Sequence, residues 1–169
     1  MNGNFERKDE SEGGTPSGSC SYPNPWTYNG KYFESDDIGD SYGFVYRITN
    51  LGNGKQYIGR KYFWQHRKPR GKSRRVKSES DWKKYYGSSN ELNDERSRIG
   101  NGSFKREILS VHPTKGFVNY EETRQLFLNN VLTEALDNGE PAYYNSNVLS
   151  RYFRKDYFNG TPDHGSDAT

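Results

Sequence analysis

Cysteine and long apolar runs are almost absent from this sequence. The 169 residues include a single cysteine, Cys20, and hydrophobic residues make up 30% of the chain. One cysteine excludes an intramolecular disulfide, which suits a reducing compartment. No apolar run approaches the ~20 residues of a membrane span, and the polar, acidic N-terminus is unlike a secretion signal. These absences predict a cytoplasmic protein without a membrane segment.

Aromatic residues partly replace the missing aliphatic ones. The chain has 14 Tyr, 9 Phe and 3 Trp. A packed core is therefore possible, but it must be rich in tyrosine and phenylalanine, and its buried phenol hydroxyls need hydrogen-bond partners. The length fits one domain with tails.

Charge is unevenly distributed along the chain. The net charge is +3, but residues 1–40 carry a local net charge of −5, so the rest carries +8. Nine Lys and Arg and no acid fall between Arg60 and Lys77. This excess predicts an anionic partner, with nucleic acid first, although a solvated basic loop is the alternative.

Composition divides the chain into four parts. We predict a disordered acidic tail over 1–21, an aromatic arm that packs on the domain over 22–40, the domain itself over 41–158, and a flexible tail over 159–169. The turn at Asn29-Gly30 suits a hairpin in the arm.

Strand-like and helix-like patterns alternate within the domain. Strands are predicted over 44–48, 56–59 and 103–109, and helices near Ser80, from a cap at Ser88 or Ser89 to Gly100, and over 119–137. The first two strands predict an antiparallel hairpin. The fold class is therefore α+β: a small antiparallel sheet flanked by helices.

The hairpin carries one tyrosine on each strand, Tyr46 and Tyr57. Phosphodiester hydrolysis needs a deprotonated and aligned water, stabilisation of charge on the phosphate, and a bound or protonated leaving oxygen. A phenol, a guanidinium and a carboxylate that holds a divalent cation supply these parts. A tyrosine pair in a hairpin is also an ordinary packing pair, so this alternative stays open.

These two segments resemble the paired signature of the GIY-YIG nuclease family. Val45-Tyr46 stands for the first half, and Tyr57-Ile58-Gly59 matches the second half letter for letter. Family members also carry a later arginine, a glutamate at the start of a helix and an asparagine after that helix. The positions that fit are Arg67, Glu122 and Asn145, so the resemblance covers roughly residues 42–147.

The resemblance implies a role for each matching residue. Tyr46 or Tyr57 would orient or deprotonate the attacking water. Arg67 would bind the scissile phosphate, because a guanidinium forks onto phosphate oxygens. Glu122 would bind one divalent cation, Mg²⁺ or Mn²⁺. Lys61 is a second cationic candidate for the site.

The basic segment predicts how DNA would be held, with no small-molecule cofactor. Phosphate contacts give affinity without sequence information. The predicted DNA-binding residues are Arg60, Lys68, Arg70, Lys72, Arg74, Arg75 and Asn145. Asn145 has a second interpretation, as a brace of the site, and Trp64 would either stack on a base or anchor the segment in the core. The resemblance favours a DNA endonuclease like those of bacteriophage genomes, including homing-type enzymes.

Several positions leave alternatives open. Glu121 lies next to Glu122, and Asn119 with Glu122 forms a capping-box pattern. Many family members carry a histidine or tyrosine four residues after the arginine, where this chain has Gly71. His66 and Tyr86 are the candidates for that role.

Two other function classes compete with the nuclease. The missing histidine is compatible with a catalytically inactive protein that keeps the fold and binds nucleic acid. The aromatic arm is compatible with an interaction protein that uses residues 22–40 to dock a partner.

Overall fold

The structure, a computed structural model that describes residues 14–161, alternates short strands with three α-helices. The strands are β1 (Thr27–Tyr28), β2 (Lys31–Tyr32), β3 (Gly43–Asn50), β4 (Gln56–Tyr62), β5 (Trp64–Arg67), β6 (Val76–Glu79), β7 (Phe104–His112), β8 (Asn147–Val148) and β9 (Tyr152–Phe153). The helices are α1 (Asn90–Ile99), α2 (Lys115–Leu128) and α3 (Arg154–Tyr157). Short 3₁₀ turns occupy Ser35–Asp37, Trp82–Lys84 and Asn101–Ser103.

Five strands form the main sheet in the order β2-β1-β7-β3-β4. The pairs β7-β3 and β3-β4 are antiparallel, as predicted, whereas β1 joins β7 in parallel. The α+β class is confirmed, and the arm hairpin β1-β2 makes the sheet mixed rather than purely antiparallel. The pairs β5-β6 and β8-β9 stand apart as two-stranded hairpins.

Each face of the sheet buries a different kind of core. One face is covered by aromatic side chains from the arm, the 3₁₀ turn at Trp82–Lys84 and strand β3, including Trp26, Phe44 and Trp82. The other face is mainly aliphatic and packs against α2 and the segment that follows it. Most of the aromatic residues thus pack on one face, which is the face that carries Tyr46.

The hairpin and the first helix agree with the sequence. Strands β3 and β4 contain the predicted segments and pair from Gly43 to Thr49. Helix α1 begins after Ser89, whose side chain accepts a hydrogen bond from Leu92 N at 3.3 Å, and it ends at Gly100 with φ +90°. A serine cap and a glycine stop are the expected signals at these two ends.

Two helix predictions are wrong. The segment near Ser80 forms only a single 3₁₀ turn over Trp82–Lys84, because Trp82 is drawn into the aromatic core. The helix predicted over 119–137 is α2, which begins after Thr114 and ends at Leu128. The Thr114 side chain accepts from Phe117 N at 3.2 Å, and Asn130 takes a left-handed conformation at φ +49° that breaks the helix.

The predicted tails lie largely outside the described residues, which exclude 1–13 and 162–169. Residues 14–21 precede the arm hairpin in the chain and lie beside it. Ser17 N donates to Gly30 O at 3.2 Å, and Ser21 N donates to the Glu34 carboxylate at 2.6 Å.

No helix between residues 14 and 161 has the length and apolar character that crossing a membrane requires.

Arg106, on β7, joins the arm, the 3₁₀ segment and the sheet. It is 1% exposed. Its guanidinium donates to the carbonyls of Asn24, Lys83 and Tyr85 and lies between the rings of Trp26 and Tyr86. A buried cation is tolerated only when its N–H groups are used, and here backbone carbonyls supply the acceptors.

We expect Arg106→Met to lower the free energy of unfolding by about 3 kcal/mol, since the carbonyls lose their donors in a dry interior. Urea unfolding followed by tryptophan fluorescence measures the change. The control is Lys105→Met, because Lys105 is 53% exposed and paired only with Glu107. Equal losses for the two variants would contradict the role given to Arg106.

Candidate active site

Strand β4 forms one edge of the main sheet and carries the site on both of its faces. Tyr46 of β3 is paired directly with Gly59, and Tyr57 lies two residues before Gly59. Because side chains alternate along a strand, Tyr46 and Tyr57 share the aromatic face. Arg60 points to the other face, toward α2, as its contact with Glu122 shows. Because β4 is an edge strand, the tyrosines of one face and Arg60 of the other can line the same cleft.

Gly59 is the point where Tyr46 reaches this edge. A Cβ at Gly59 would lie 2.5 Å from the Tyr46 hydroxyl oxygen and 3.0 Å from Cε1 of Tyr57. Gly87 also lies against Tyr57: a Cβ there would lie 2.7 Å from Tyr57 Cε1, and its φ is +86°. The tyrosine pair therefore requires glycine at both positions.

A cleft of about 440 Å³ opens at this edge. It brings together five of the six predicted catalytic residues, and Asp81, the ion-pair partner of Lys61, lies beside them. The wall contains Tyr46, Tyr57, Arg60, Lys61, Tyr62, Trp64, Gln65, Arg67, Ser80, Asp81, Tyr85, Ser88 and Glu122. Tyr57, Arg67 and Glu122, which lie far apart in sequence, thus face one volume, and Lys61 joins them.

The two phenols of the cleft differ in exposure. Tyr46 is 1% exposed, and burial raises the pKa of its phenol well above the ordinary value, with Tyr57 and Tyr85 adding to the effect. Tyr57 is partly exposed, and its hydroxyl shares a 3.1 Å hydrogen bond with Ser88 Oγ. The ring centroids are 6.1 Å apart. Tyr46 therefore holds its proton at neutral pH in the free protein.

Glu122 lies in the middle of α2, not at the start of the helix as the resemblance implied. Its carboxylate is paired with the Arg60 guanidinium. Burial raises the pKa of Glu122, and the charge of Arg60 offsets part of that rise. Since Thr114 caps the helix, the capping-box alternative for Asn119 and Glu122 is wrong.

Glu121 does not compete with Glu122 for the cleft. It is held by Arg124 at 2.7 Å and by Gln125 at 2.9 Å on the same helix, and these hydrogen bonds lower its pKa. It is not part of the cleft wall. The geometry therefore favours Glu122 as the carboxylate of the site.

Lys61 is fixed between an acid and a ring. Its Nζ lies 2.6 Å from Asp81 and 4.0 Å from the centroid of the Tyr85 ring. The hydrogen bond from Lys61 lowers the pKa of Asp81. Lys61 thus brings a positive charge next to the phenols while its own charge is partly neutralised.

Arg67 lies on the β5-β6 hairpin, which the basic segment forms. Its strand partner is Val76, and the exposed residues 68–75 connect the two strands. Trp64 anchors the base of the hairpin: its Nε1 donates to Ser41 O at 3.2 Å, and Lys77 Nζ lies 4.3 Å from its ring centroid. The anchoring interpretation of Trp64 therefore fits the structure. The exposed loop carries Lys68, Arg70, Lys72, Arg74 and Arg75.

Asn145 braces strand β4, which fits the second of the two interpretations of this residue, and its DNA-binding role stays a prediction. It is 6% exposed. Its Oδ1 accepts from Ile58 N at 3.0 Å, and its Nδ2 donates to Ile58 O at 2.8 Å. Both polar atoms of the amide thus hold the backbone of β4 at Ile58.

The candidates for the missing histidine role lie away from the cleft. His66 is exposed on β5 and is not part of the cleft wall, and Gly71 lies in the hairpin loop at φ +81°. Tyr86 is buried, and its hydroxyl accepts from Asn24 Nδ2 at 2.8 Å. The adjacent Tyr85 does line the cleft. The sequence signal for Tyr85 is the pair Tyr85-Tyr86 in an extended segment. Adjacent side chains there point in opposite directions, so one of the two tyrosines can face the cleft while the other is buried.

The donor set of the cleft suits a hydrated cation. Between residues 14 and 161 there is no group of three or more His, Cys, Asp or Glu that would hold a metal ion. Both carboxylates of the cleft are ion-paired, Asp81 with Lys61 and Glu122 with Arg60, but only Glu122 is largely buried in the wall. One carboxylate fits Mg²⁺, which keeps several waters and takes further oxygens from substrate phosphates.

Comparison with known proteins identifies the family of the chain. Residues 26–148 match the family model described as "Putative endonuclease segE, GIY-YIG domain". No curated protein and no solved structure matched the chain. The matched range starts at Trp26 in the arm and includes every residue of the cleft wall. Since the match extends over most of the chain, the protein belongs to the GIY-YIG nuclease family.

Proposed function

We propose that this protein is a divalent-metal-dependent endonuclease that hydrolyses phosphodiester bonds in DNA. The observation that carries the proposal is the cleft in which Tyr46, Tyr57, Arg67 and Glu122 face one another. Packing alone would bury a tyrosine pair, but it gives no reason for a guanidinium and a half-buried carboxylate beside it.

The reaction adds the oxygen of a water to phosphorus and breaks the bond from phosphorus to one sugar oxygen. One proton leaves the water, and one proton is taken up by the leaving oxygen. The phenol pair orients the water and accepts its proton, which is the role of a general base. Arg67 binds the non-bridging phosphate oxygens and stabilises the charge that develops on them.

Glu122 holds the divalent cation, Mg²⁺ or Mn²⁺. When bound, such a cation neutralises charge on the phosphate and on the leaving oxygen. Lys61 and Asp81 keep the charge around the phenols balanced, and Tyr85 closes the cleft beside Tyr46. Asn145 fixes the backbone of β4 so that both phenols keep their place.

The β5-β6 hairpin supports DNA as the substrate. Its loop carries five exposed basic residues next to Arg67, so it would lie along the phosphate backbone. Contacts of this kind give affinity and orientation rather than sequence choice.

We expect Glu122→Gln and Arg67→Ala each to reduce cleavage of duplex DNA by at least about a thousandfold, because each removes a stabiliser of transition-state charge. Incubation of supercoiled plasmid with Mg²⁺ or Mn²⁺ and the purified variants measures the rate. Both variants should keep the unfolding midpoint of the parent.

The matched control is Glu121→Gln, which alters the neighbouring carboxylate of the same helix outside the cleft. It should cleave like the parent protein. Normal cleavage by both Glu122→Gln and Arg67→Ala would remove the assignment. Salt-sensitive DNA binding without cleavage under any metal would favour the inactive nucleic-acid-binding protein.

The pH profile tests whether a phenol takes the proton. A free phenol is almost fully protonated at neutral pH, and burial raises the pKa of Tyr46 further. Since the base must be deprotonated, we expect kcat/KM to rise close to tenfold per pH unit from about pH 6 to pH 9. A plateau that is already reached at pH 7 would argue against a phenol base.

Two variants assign that slope to a residue. Tyr46→Phe and Tyr57→Phe should both slow cleavage. The variant that also flattens the pH profile identifies the phenol that accepts the proton, and the other phenol then orients the water.

The loop of the β5-β6 hairpin tests the DNA contact. We expect the triple variant Lys72→Gln, Arg74→Gln, Arg75→Gln to make the salt dependence of DNA affinity shallower. The negative slope of log affinity against log salt should shrink in magnitude by about 0.9 for each lost phosphate contact. Fluorescence anisotropy with a short duplex in the absence of metal gives the slope. A control triple variant at Arg98, Lys105 and Lys155, which lie outside the cleft, should leave the slope unchanged. Equal slopes for the parent and the loop variant would reject the DNA contact.

A further inference from the structure

The Arg60 side chain lies where a cation would otherwise bind Glu122. Its guanidinium forms an ion pair with the Glu122 carboxylate, and its Nε donates to the Tyr62 hydroxyl at 3.2 Å. The Tyr62 hydroxyl in turn donates to Asn119 Oδ1 at 2.5 Å. Asn119 lies one turn before Glu122 on α2, so both contacts of Arg60 lead to the same helix.

The carboxylate keeps a second contact that does not depend on the guanidinium. The backbone N–H of Arg60 also faces the Glu122 carboxylate and lowers the pKa of that group. If the side chain turns away, the carboxylate stays against strand β4. The two contacts of residue 60 are therefore separable: the backbone positions Glu122, and the side chain neutralises it.

The ion pair also stands at the junction of two clefts. A second cleft of about 430 Å³ lies beyond it, lined mainly by uncharged polar side chains that include Ser89, Ser146 and Asn147. Tyr57, Arg60, Ser88 and Glu122 line both clefts. A polynucleotide strand that runs from one cleft into the other must pass over the Arg60–Glu122 pair.

We infer that Arg60 is a stand-in cation that exchanges partners when DNA binds. In the free protein it neutralises Glu122; when a DNA strand crosses the junction, the guanidinium moves to a backbone phosphate and leaves the carboxylate open to the divalent cation. The inference rests on the proposed metal-dependent DNA cleavage. It makes DNA and the cation bind cooperatively, because each favours the state in which the ion pair is open.

The exposure of the pair allows this exchange. The Arg60 side chain is 42% exposed, whereas that of Glu122 is 15% exposed. A half-exposed ion pair is weak, and a phosphate offers the guanidinium a bidentate partner. The arginine is thus the mobile partner, and the glutamate is the fixed one.

The chain supplies a matched control on the same helix. Arg124 pairs with Glu121 at 2.7 Å, outside the cleft. Arg60→Gln and Arg124→Gln each remove one arginine from a glutamate of α2. Arg60→Gln also keeps the backbone N–H that positions Glu122.

The test is direct titration of the folded protein with Mn²⁺, by calorimetry or by the spin-resonance signal of the free ion, without DNA. We expect Arg60→Gln to bind Mn²⁺ at least about threefold more tightly than the parent, the scale of an ordinary exposed ion pair. Arg124→Gln should match the parent, and Glu122→Gln should lose the site. With an uncleavable phosphorothioate duplex present, the parent should gain affinity for Mn²⁺ and Arg60→Gln should gain less.

Each result bears on the inference. Unchanged Mn²⁺ affinity in Arg60→Gln, or an equal gain on DNA addition in both proteins, overturns the exchange while the metal site at Glu122 stands. Mn²⁺ binding that survives Glu122→Gln, or that is missing from every variant with and without DNA, overturns the proposed metal site and the exchange together.

Discussion

The close approach of Tyr46 to Gly59 is the constraint on which the site depends. Tyr46 belongs to an inner strand, and a side chain on the neighbouring position of β4 would separate its hydroxyl from the substrate. Glycine removes that barrier, so a residue 1% exposed still reaches the cleft. In the Tyr57-Ile58-Gly59 segment, Gly59 is therefore required by the packing of Tyr46 on the neighbouring strand.

Rigid and adjustable parts of the site are divided between the two sides of β4. On the aromatic face, Arg106 fixes the segment before Tyr85 through backbone carbonyls, and the tyrosine rings pack against glycines. On the other face and in the β5-β6 hairpin, the arginines are exposed and held by single ion pairs or by none of the described contacts. The tyrosine rings are therefore held by packing, and the arginines of the cleft and hairpin are free to move in solvent.

Local patterns predicted the hairpin and α1, since alternation, a turn and a cap are all short-range signals. The meeting of Tyr57 with Glu122 came only from the resemblance, because periodicity does not bring together residues 65 positions apart. The start of α2 was missed because Thr114 caps the helix ahead of the apparent box at Asn119. Tyr85 was missed because the direction of its side chain depends on the 3₁₀ turn before it. That turn is set by the burial of Trp82 in the aromatic core rather than by local propensity.

Beyond Gln56, whose backbone pairs with residues 142–144, the outer edge of β4 is met by side chains. The amide of Asn145 bonds to both polar backbone groups of Ile58, and Ser80 Oγ donates to Tyr62 O at 2.6 Å. The carboxylate of Glu122 faces the N–H of Arg60. Unpaired edge strands invite pairing with a second chain, which leads to aggregation. The side chains that line the clefts thus also cover the open edge of β4. A substitution that removes one of them is expected to promote self-association through this edge.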